Sequence, residues 1–177
     1  MADALAQTLE EEGSDRVDQW ERFKIGQGGA GGSGWASVGD IKDSLTGDKY
    51  FFKRTGMDGA DMLNAERAGL KVMYDTQTIR VPRPVCGGTG PGGAFAVFEY
   101  MNMGGRGTAE TSELMGAQLA QMHRCASSNG MYGFEVDNTI GATEQPNGWM
   151  DSWVDFWVER RLKHMLRLSE RDGAVFR

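Results

Sequence analysis

The chain has 177 residues, 40% of them hydrophobic, and a formal net charge of −6. That length suits one or two small domains with a real core, and the acidic balance excludes the basic footprint of a nucleic-acid-binding protein. No apolar run reaches transmembrane length, and the start MADALAQTLEEEGSDRV lacks the features of a signal or transit peptide. The expectation is a cytoplasmic protein that binds neither nucleic acid nor membrane, with a plastid location open if the true start lies upstream.

Residues 1–20 read as an acidic lead-in with room for one short helix. Trp20–Ile25 reads as a strand entering a glycine-rich loop, GQGGAGGSGWASVG at 26–39. Glycine lets backbone N–H groups approach a ligand without a Cβ in the way, and phosphates are the usual ligand of such loops. From the loop alone, a phosphate cradle and a plain flexible loop are equally open. Gly34–Val38 leads outward, DSLTGD at 43–48 signals a turn, and Tyr50-Phe51-Phe52-Lys53 is strand-like. The segment is therefore expected as an antiparallel run of strands.

MLNAERAGLKVMYDT, residues 62–76, has Met62, Leu70 and Met73 at helical spacing. Glu66 falls on that apolar stripe. A buried Glu66 would need a cationic partner, and Lys53 is the nearest upstream candidate; a solvated Glu66 at the edge of the stripe is the other reading. IRVPRPVCG reads as a strand broken by Pro82 and Pro84, and GGAFAVFEYM as an apolar strand running into the glycine-rich joint NMGGRG. That joint is the expected domain boundary.

Residues 108–126 are expected as a helix capped by Thr108 or Thr111, with Met115, Leu119 and Met122 as its apolar stripe. A long polar loop follows, whose Tyr132, Phe134, Val136 and Ile140 argue against disorder. A last helix is expected from Trp149, with Trp149, Trp153 and Trp157 sharing one face and packing into a core. Cys86 and Cys125 form no metal-type or CxxC spacing and are expected as free structural thiols. His123 and His164 fall on predicted helices as surface or packing residues, and no metal site is expected.

Glycine loop, strand lysine, helix glutamate, apolar strand with a joint, then helices: this is the order of the amino-terminal lobe of a protein-kinase-like fold. Gly26-Gln27-Gly28-Gly29-Ala30-Gly31 also matches the G-x-G-x-x-G of a dinucleotide-binding unit. That motif needs an amphipathic helix opening at the loop, and WASVGDIKDSLTGD has no helical stripe.

The stretches TGDKYFFKR, NAERAGLKVMYDTQTIRVPRP, FAVFEYMNMGGRG, ELMGAQLAQMHR and GFEVDNTIGATEQPNGWMDSWVDFWVERRL carry a specific likeness. From about Ile25 to Arg177 the sequence resembles the fructosamine-3-kinase family, the ketosamine or protein-ribulosamine 3-kinases, and within it the plant and algal members. The NTIG-x-x-x-Q-x-N-x-W pattern is the most diagnostic piece. The resemblance implies an α+β protein-kinase-like fold. It divides the chain into the lead-in 1–20, a small antiparallel-sheet lobe with one helix at 21–104, and the first helices of the large lobe at 105–177.

The resemblance also implies an enzyme that uses ATP and Mg²⁺ to phosphorylate the sugar 3-hydroxyl of ketosamines, on glycated proteins or on ketosamine-lysine small molecules. The phosphorylated adduct then falls off, which frees the lysine and repairs the protein. It assigns Lys53 to the phosphates with Glu66 as its partner, Gly31, Gly32 and Ser33 to the phosphate loop, and Glu99, Tyr100 and Met101 to the adenine pocket. Ribulosamine preference follows only from the plant-like character of the match.

The departures are as informative. The family's catalytic aspartate and Mg²⁺ ligands sit in HGDxxxxN and DPA motifs, and this sequence has no His-Xaa-Asp. Both motifs are expected beyond Arg177, so no catalytic residue is assigned in this chain, the 177 residues alone are expected to be inactive, and the piece is expected to be poorly stable. A cysteine that joins subunits in some members is absent from GGSGWAS, so no redox-linked dimer is expected and the oligomeric state stays open. A non-catalytic nucleotide-binding or interaction module is the alternative function. A choline- or aminoglycoside-type kinase is disfavoured by GFEVDNTIG…QPNGW.

Overall fold

The structure is a computed structural model, and it describes residues 1–11, 22–26, 29–30 and 35–174. The chain divides into two compact units, Met1–His123 and Arg124–Arg177.

The first unit is built on a sheet of six strands: β1 (Phe23–Ile25), β2 (Gly29–Ala30), β3 (Ser37–Asp43), β4 (Lys49–Thr55), β5 (Pro84–Gly90) and β6 (Gly93–Glu99). They run in the order β1-β3-β4-β6-β5, with β2 also paired to β3, and every pairing is antiparallel. Short turns join β3 to β4 and β5 to β6, which is what antiparallel neighbours allow, whereas a helical segment lies between β4 and β5. At the DSLTGD turn, Asp43 Oδ1 accepts from the Leu45 amide at 2.9 Å, and Gly47 takes a φ of 81°. Pro84 opens β5 on the sheet edge, where a missing N–H leaves no ladder bond unmade. At the β5–β6 turn Gly93 has a φ of 104°, and a Cβ there would lie 2.0 Å from the Thr55 carbonyl oxygen, so only glycine fits.

Strand alternation sorts the side chains onto two faces. On one face Phe23, Ile41, Tyr50, Phe52, Cys86 and Val97 form a core with Leu5, which is fully buried. Leu5 belongs to α1 (Ala2–Glu11), so the acidic start includes a helix that packs on the sheet. On the opposite face Leu63 of α2 (Ala60–Asp75) packs on Ala96 and Phe98, flanked by Trp35, Phe51 and Leu70. A third helix, α3 (Ala109–His123), ends this unit. Its cap is reciprocal: the Thr111 amide donates to Thr108 Oγ1 at 3.2 Å, and the Thr108 amide to Thr111 Oγ1 at 2.8 Å. The apolar stripe expected on this helix is not buried; Met115 and Leu119 are both exposed.

The second unit contains the hairpin β7 (Asn138–Ile140) and β8 (Thr143–Gln145), then α4 (Trp153–Trp157), a π-helical turn (Val158–Leu162) and α5 (Lys163–Arg171). The tryptophan expectation needs correcting. The helix starts at Trp153, because Ser152 caps it by accepting from the Asp155 amide at 3.3 Å. Trp149 precedes the helix, and Trp153 and Trp157 are about half exposed. Phe156 is the buried aromatic of this turn, and Trp153 stacks on it at 5.9 Å.

Candidate nucleotide site

The front face of the sheet, the α2 side, brings two of the expected residues together. Lys53 lies at the middle of β4, and its neighbour on β6 is Ala96. A methyl group there leaves room beside the lysine stem. Helix α2 crosses this face and anchors through Leu63, which is 1% exposed. Glu66 follows one helical turn later on the same side. Lys53 Nζ donates to Glu66 Oε1 at 2.6 Å. The sequence left Glu66 either paired or solvated; it is paired, with the two side chains 24% and 31% exposed. Partly exposed pairs of this kind add about 1 kcal/mol or less to stability. The consequence is positional instead: the carboxylate holds a long flexible ammonium in one place on an accessible face.

The rim behind the glycine loop is tied to the same face. Thr55 Oγ1 donates to the Trp35 carbonyl at 3.0 Å, and Trp35 packs against the Leu63–Ala96–Phe98 cluster. Gly31, Gly32 and Ser33 lie outside the described residues. Nearby, β2 pairs Gly29 with Val38 and Ala30 with Ser37, and Val38 pairs with Lys53. The strands that flank the loop are thus in register with the lysine.

Glu99, Tyr100 and Met101 stand where β6 leaves the sheet. The Glu99 amide donates to the Arg83 carbonyl at 2.8 Å. Its carboxylate accepts from Arg80 and, at 3.2 Å, from the Arg83 amide. The Glu99 side chain is therefore engaged with the chain leading into β5. Tyr100 is 40% exposed, with Lys49 Nζ 5.3 Å from its ring centroid. The Lys49–Tyr100 contact and the Trp35 tie had no signal in the sequence, because both depend on strand register. Among the described residues, no group of three or more His, Cys, Asp or Glu side chains is placed to hold a metal ion.

In the second unit the diagnostic polar segment forms a hydrogen-bonded buckle. Asn147, 6% exposed, donates from Nδ2 to the Val136 carbonyl at 3.1 Å. Its amide donates to Asp137 Oδ1 at 2.7 Å, and its Oδ1 accepts from Arg161 at 2.5 Å. Arg161 also donates to the Pro146 carbonyl at 2.7 Å and lies over the Phe156 ring. His164 Nε2 bonds the Glu144 carbonyl at 2.8 Å, a packing role as expected. Neither Cys86, which is buried, nor Cys125, which is exposed, forms a disulfide.

The sequence pattern of the fructosamine kinase family matches residues 7–177. This chain belongs to that family. It is 44% identical over 128 residues to a protein of Synechocystis sp. named as a ketoamine kinase, a match covering 72% of this chain and 43% of that one. It is 40% identical over 121 residues to the chloroplastic protein-ribulosamine 3-kinase of Arabidopsis thaliana, covering 68% and 36%. The chain thus spans less than half the length of these two fructosamine kinase relatives. The fold is shared with a solved fructosamine-3-kinase structure from Haemophilus somnus, at a TM-score of 0.75 and 23% identity, covering all of this chain and 57% of that one. The family fold is the protein-kinase-like α+β arrangement, here an antiparallel sheet plus helices. No described helix is long and apolar enough to cross a membrane.

Proposed function

We propose that this chain carries the ATP-binding part of a ketosamine 3-kinase. The observation that carries the reading is the Lys53–Glu66 pair, held at 2.6 Å between strand and helix on an accessible sheet face. A fixed ammonium neutralises phosphate oxygens, which is the main demand of phosphoryl transfer on the nucleotide side. The loop residues Gly31, Gly32 and Ser33 cover the phosphates. Glu99, Tyr100 and Met101 line the adenine edge, Glu99 through its backbone, since its carboxylate is held by Arg80 and Arg83.

The acceptor in this reading is the sugar 3-hydroxyl of a ribulosamine or fructosamine on a protein lysine, and phosphorylation leads to deglycation. The relatives' names, ketoamine kinase and protein-ribulosamine 3-kinase, support it. Mg²⁺ and the general base belong to the HGDxxxxN and DPA motifs, which this sequence does not contain. The residues of this chain bind and orient the nucleotide and do not deprotonate the acceptor. The expected location is the cytoplasm, or a plastid as for the Arabidopsis relative.

Titration with a fluorescent ATP analogue tests the reading. Lys53→Met should lower its affinity by about tenfold or more, and Glu66→Gln by a smaller factor, with the thermal midpoint nearly unchanged in both. Unaltered nucleotide affinity in Lys53→Met would overturn it.

A further inference from the structure

The chain has six lysines: Lys24, Lys42, Lys49, Lys53, Lys71 and Lys163. Lys53 pairs with Glu66, Lys71 with Asp75 and Lys163 with Glu159. The other three line up. Lys24 of β1 is directly opposite Lys42 of β3, and Lys42 is directly opposite Lys49 of β4. Residues directly opposite on antiparallel strands share a face, so three lysine residues stand side by side across three strands, with backbones spaced by about 5 Å per strand. All three residues are exposed. Alternation along β4 puts Lys49 on the same face as Lys53, roughly 13 Å away along the strand. Lys49 also stands over the ring of Tyr100, at the end of β6.

The carboxylates around the row are turned to other tasks. Asp43 is on the opposite face with Arg22. Asp48 accepts from Thr46, and Glu99 from Arg80. Asp40 shares the lysines' face two residues from Lys42, and its carboxylate lies against Gly26. Among the described residues, no salt bridge joins a carboxylate to Lys24, Lys42 or Lys49. Like charges directly opposite destabilise a strand pair, and here two such pairs are stacked on one middle residue. A fold that sets a local rule aside, here with no ion pair to the row among the described residues, marks a functional position.

We propose that the Lys24–Lys42–Lys49 row is a docking surface for an acidic protein segment, a run of Asp and Glu side chains. Charge complementarity names the occupant. The net charge of −6 repels a long polyanion such as a nucleic acid at a distance. A short acidic run meets the local row without facing the rest of the molecule. The row shares its face with the proposed nucleotide lysine, so under the kinase reading, on which this last step rests, the docked segment belongs to the glycated protein substrate. Ketosamines on lysines near acidic stretches are then the preferred class.

Anisotropy of a fluorescein-labelled octaglutamate peptide, titrated with the chain at low ionic strength, tests the surface. The wild-type chain should bind it, with affinity falling steeply as salt is added. The double variant Lys24→Gln/Lys42→Gln should bind about tenfold more weakly and with a shallower salt dependence. The same variant should melt higher than wild type, because the stacked repulsion is gone, and should bind the ATP analogue as wild type does. Equal peptide affinity in the two proteins would overturn the proposal. So would preference for an oligonucleotide or inorganic polyphosphate over the peptide. Loss of ATP binding in wild type with peptide binding intact would sink the kinase reading and leave the surface standing; the converse result would sink the surface alone.

Discussion

Asp43 shows how much one residue can carry. It is fully buried, and Arg22 meets it with Nε at 3.0 Å and Nη2 at 2.7 Å. Burial raises its carboxyl pKa, but the hydrogen bonds and charge of Arg22, with the Leu45 amide, outweigh that and hold it below the usual carboxylate range. A depressed folded pKa contributes stability that is fully present above the unfolded value, about 4, and is lost as pH falls through the folded value. The first unit should therefore lose stability steeply below about pH 4. Asp43→Asn should cost about 3 kcal/mol at pH 7 and flatten that acid limb, measured by urea unfolding across pH.

At the same scale, Cys86 and Cys125 behave differently. Burial pushes the Cys86 thiol up to about 11, so it stays protonated and inert at ordinary pH. At pH 8 a thiol-reactive dye should label Cys125 in the folded chain and reach Cys86 only in denaturant. Two fast-reacting thiols would contradict this packing.

At the scale of elements, the most diagnostic segment of the sequence proves to be a scaffold. Asp137, Asn147 and Arg161 come from the loop before β7, the residues after β8 and the π-helical turn, and Asn147 bridges the other two by its amide and its Oδ1. Asn147 is the buried member, and removing it leaves its partners unpaired at a cost of about 1–3 kcal/mol. Asn147→Ala should therefore raise hydrogen exchange across residues 134–147, with little change at β4 and α2. Exchange spread evenly over the chain would argue against a local buckle.

Strands, the turn at 43–48, helix α2 and the capped helix α3 were legible in the sequence, because each has a local cause: alternation, turn residues, helical spacing, a Thr cap. The hairpin β7–β8 was read as loop, since three-residue strands carry too little alternation to register. The tryptophan stripe was misread because helical spacing records which residues share a face and is silent on whether anything covers that face. The same reason explains the exposed stripe on α3.

At the scale of the whole molecule, the proposed kinase reading separates nucleotide binding from phosphoryl transfer. Lys53, the proposed nucleotide lysine, and Glu66 lie in the first unit, while the sequence contains no His-Xaa-Asp. The 177-residue chain should bind an ATP analogue yet transfer no phosphate to a ribulosamine-lysine substrate, followed by labelled ATP. Measurable transfer would show that another residue here serves as base.

The sequence by itself carried the resemblance to the family and, through it, the α+β class, and helical spacing named Glu66, with Lys53 upstream, as a candidate pair. Tertiary structure decided that Glu66 is paired, that Glu99 is engaged with Arg80 and Arg83, and that three lysines stand in a row. Each of those is a matter of strand register or helix placement, and register joins residues far apart in the chain through hydrogen bonds that no local pattern encodes.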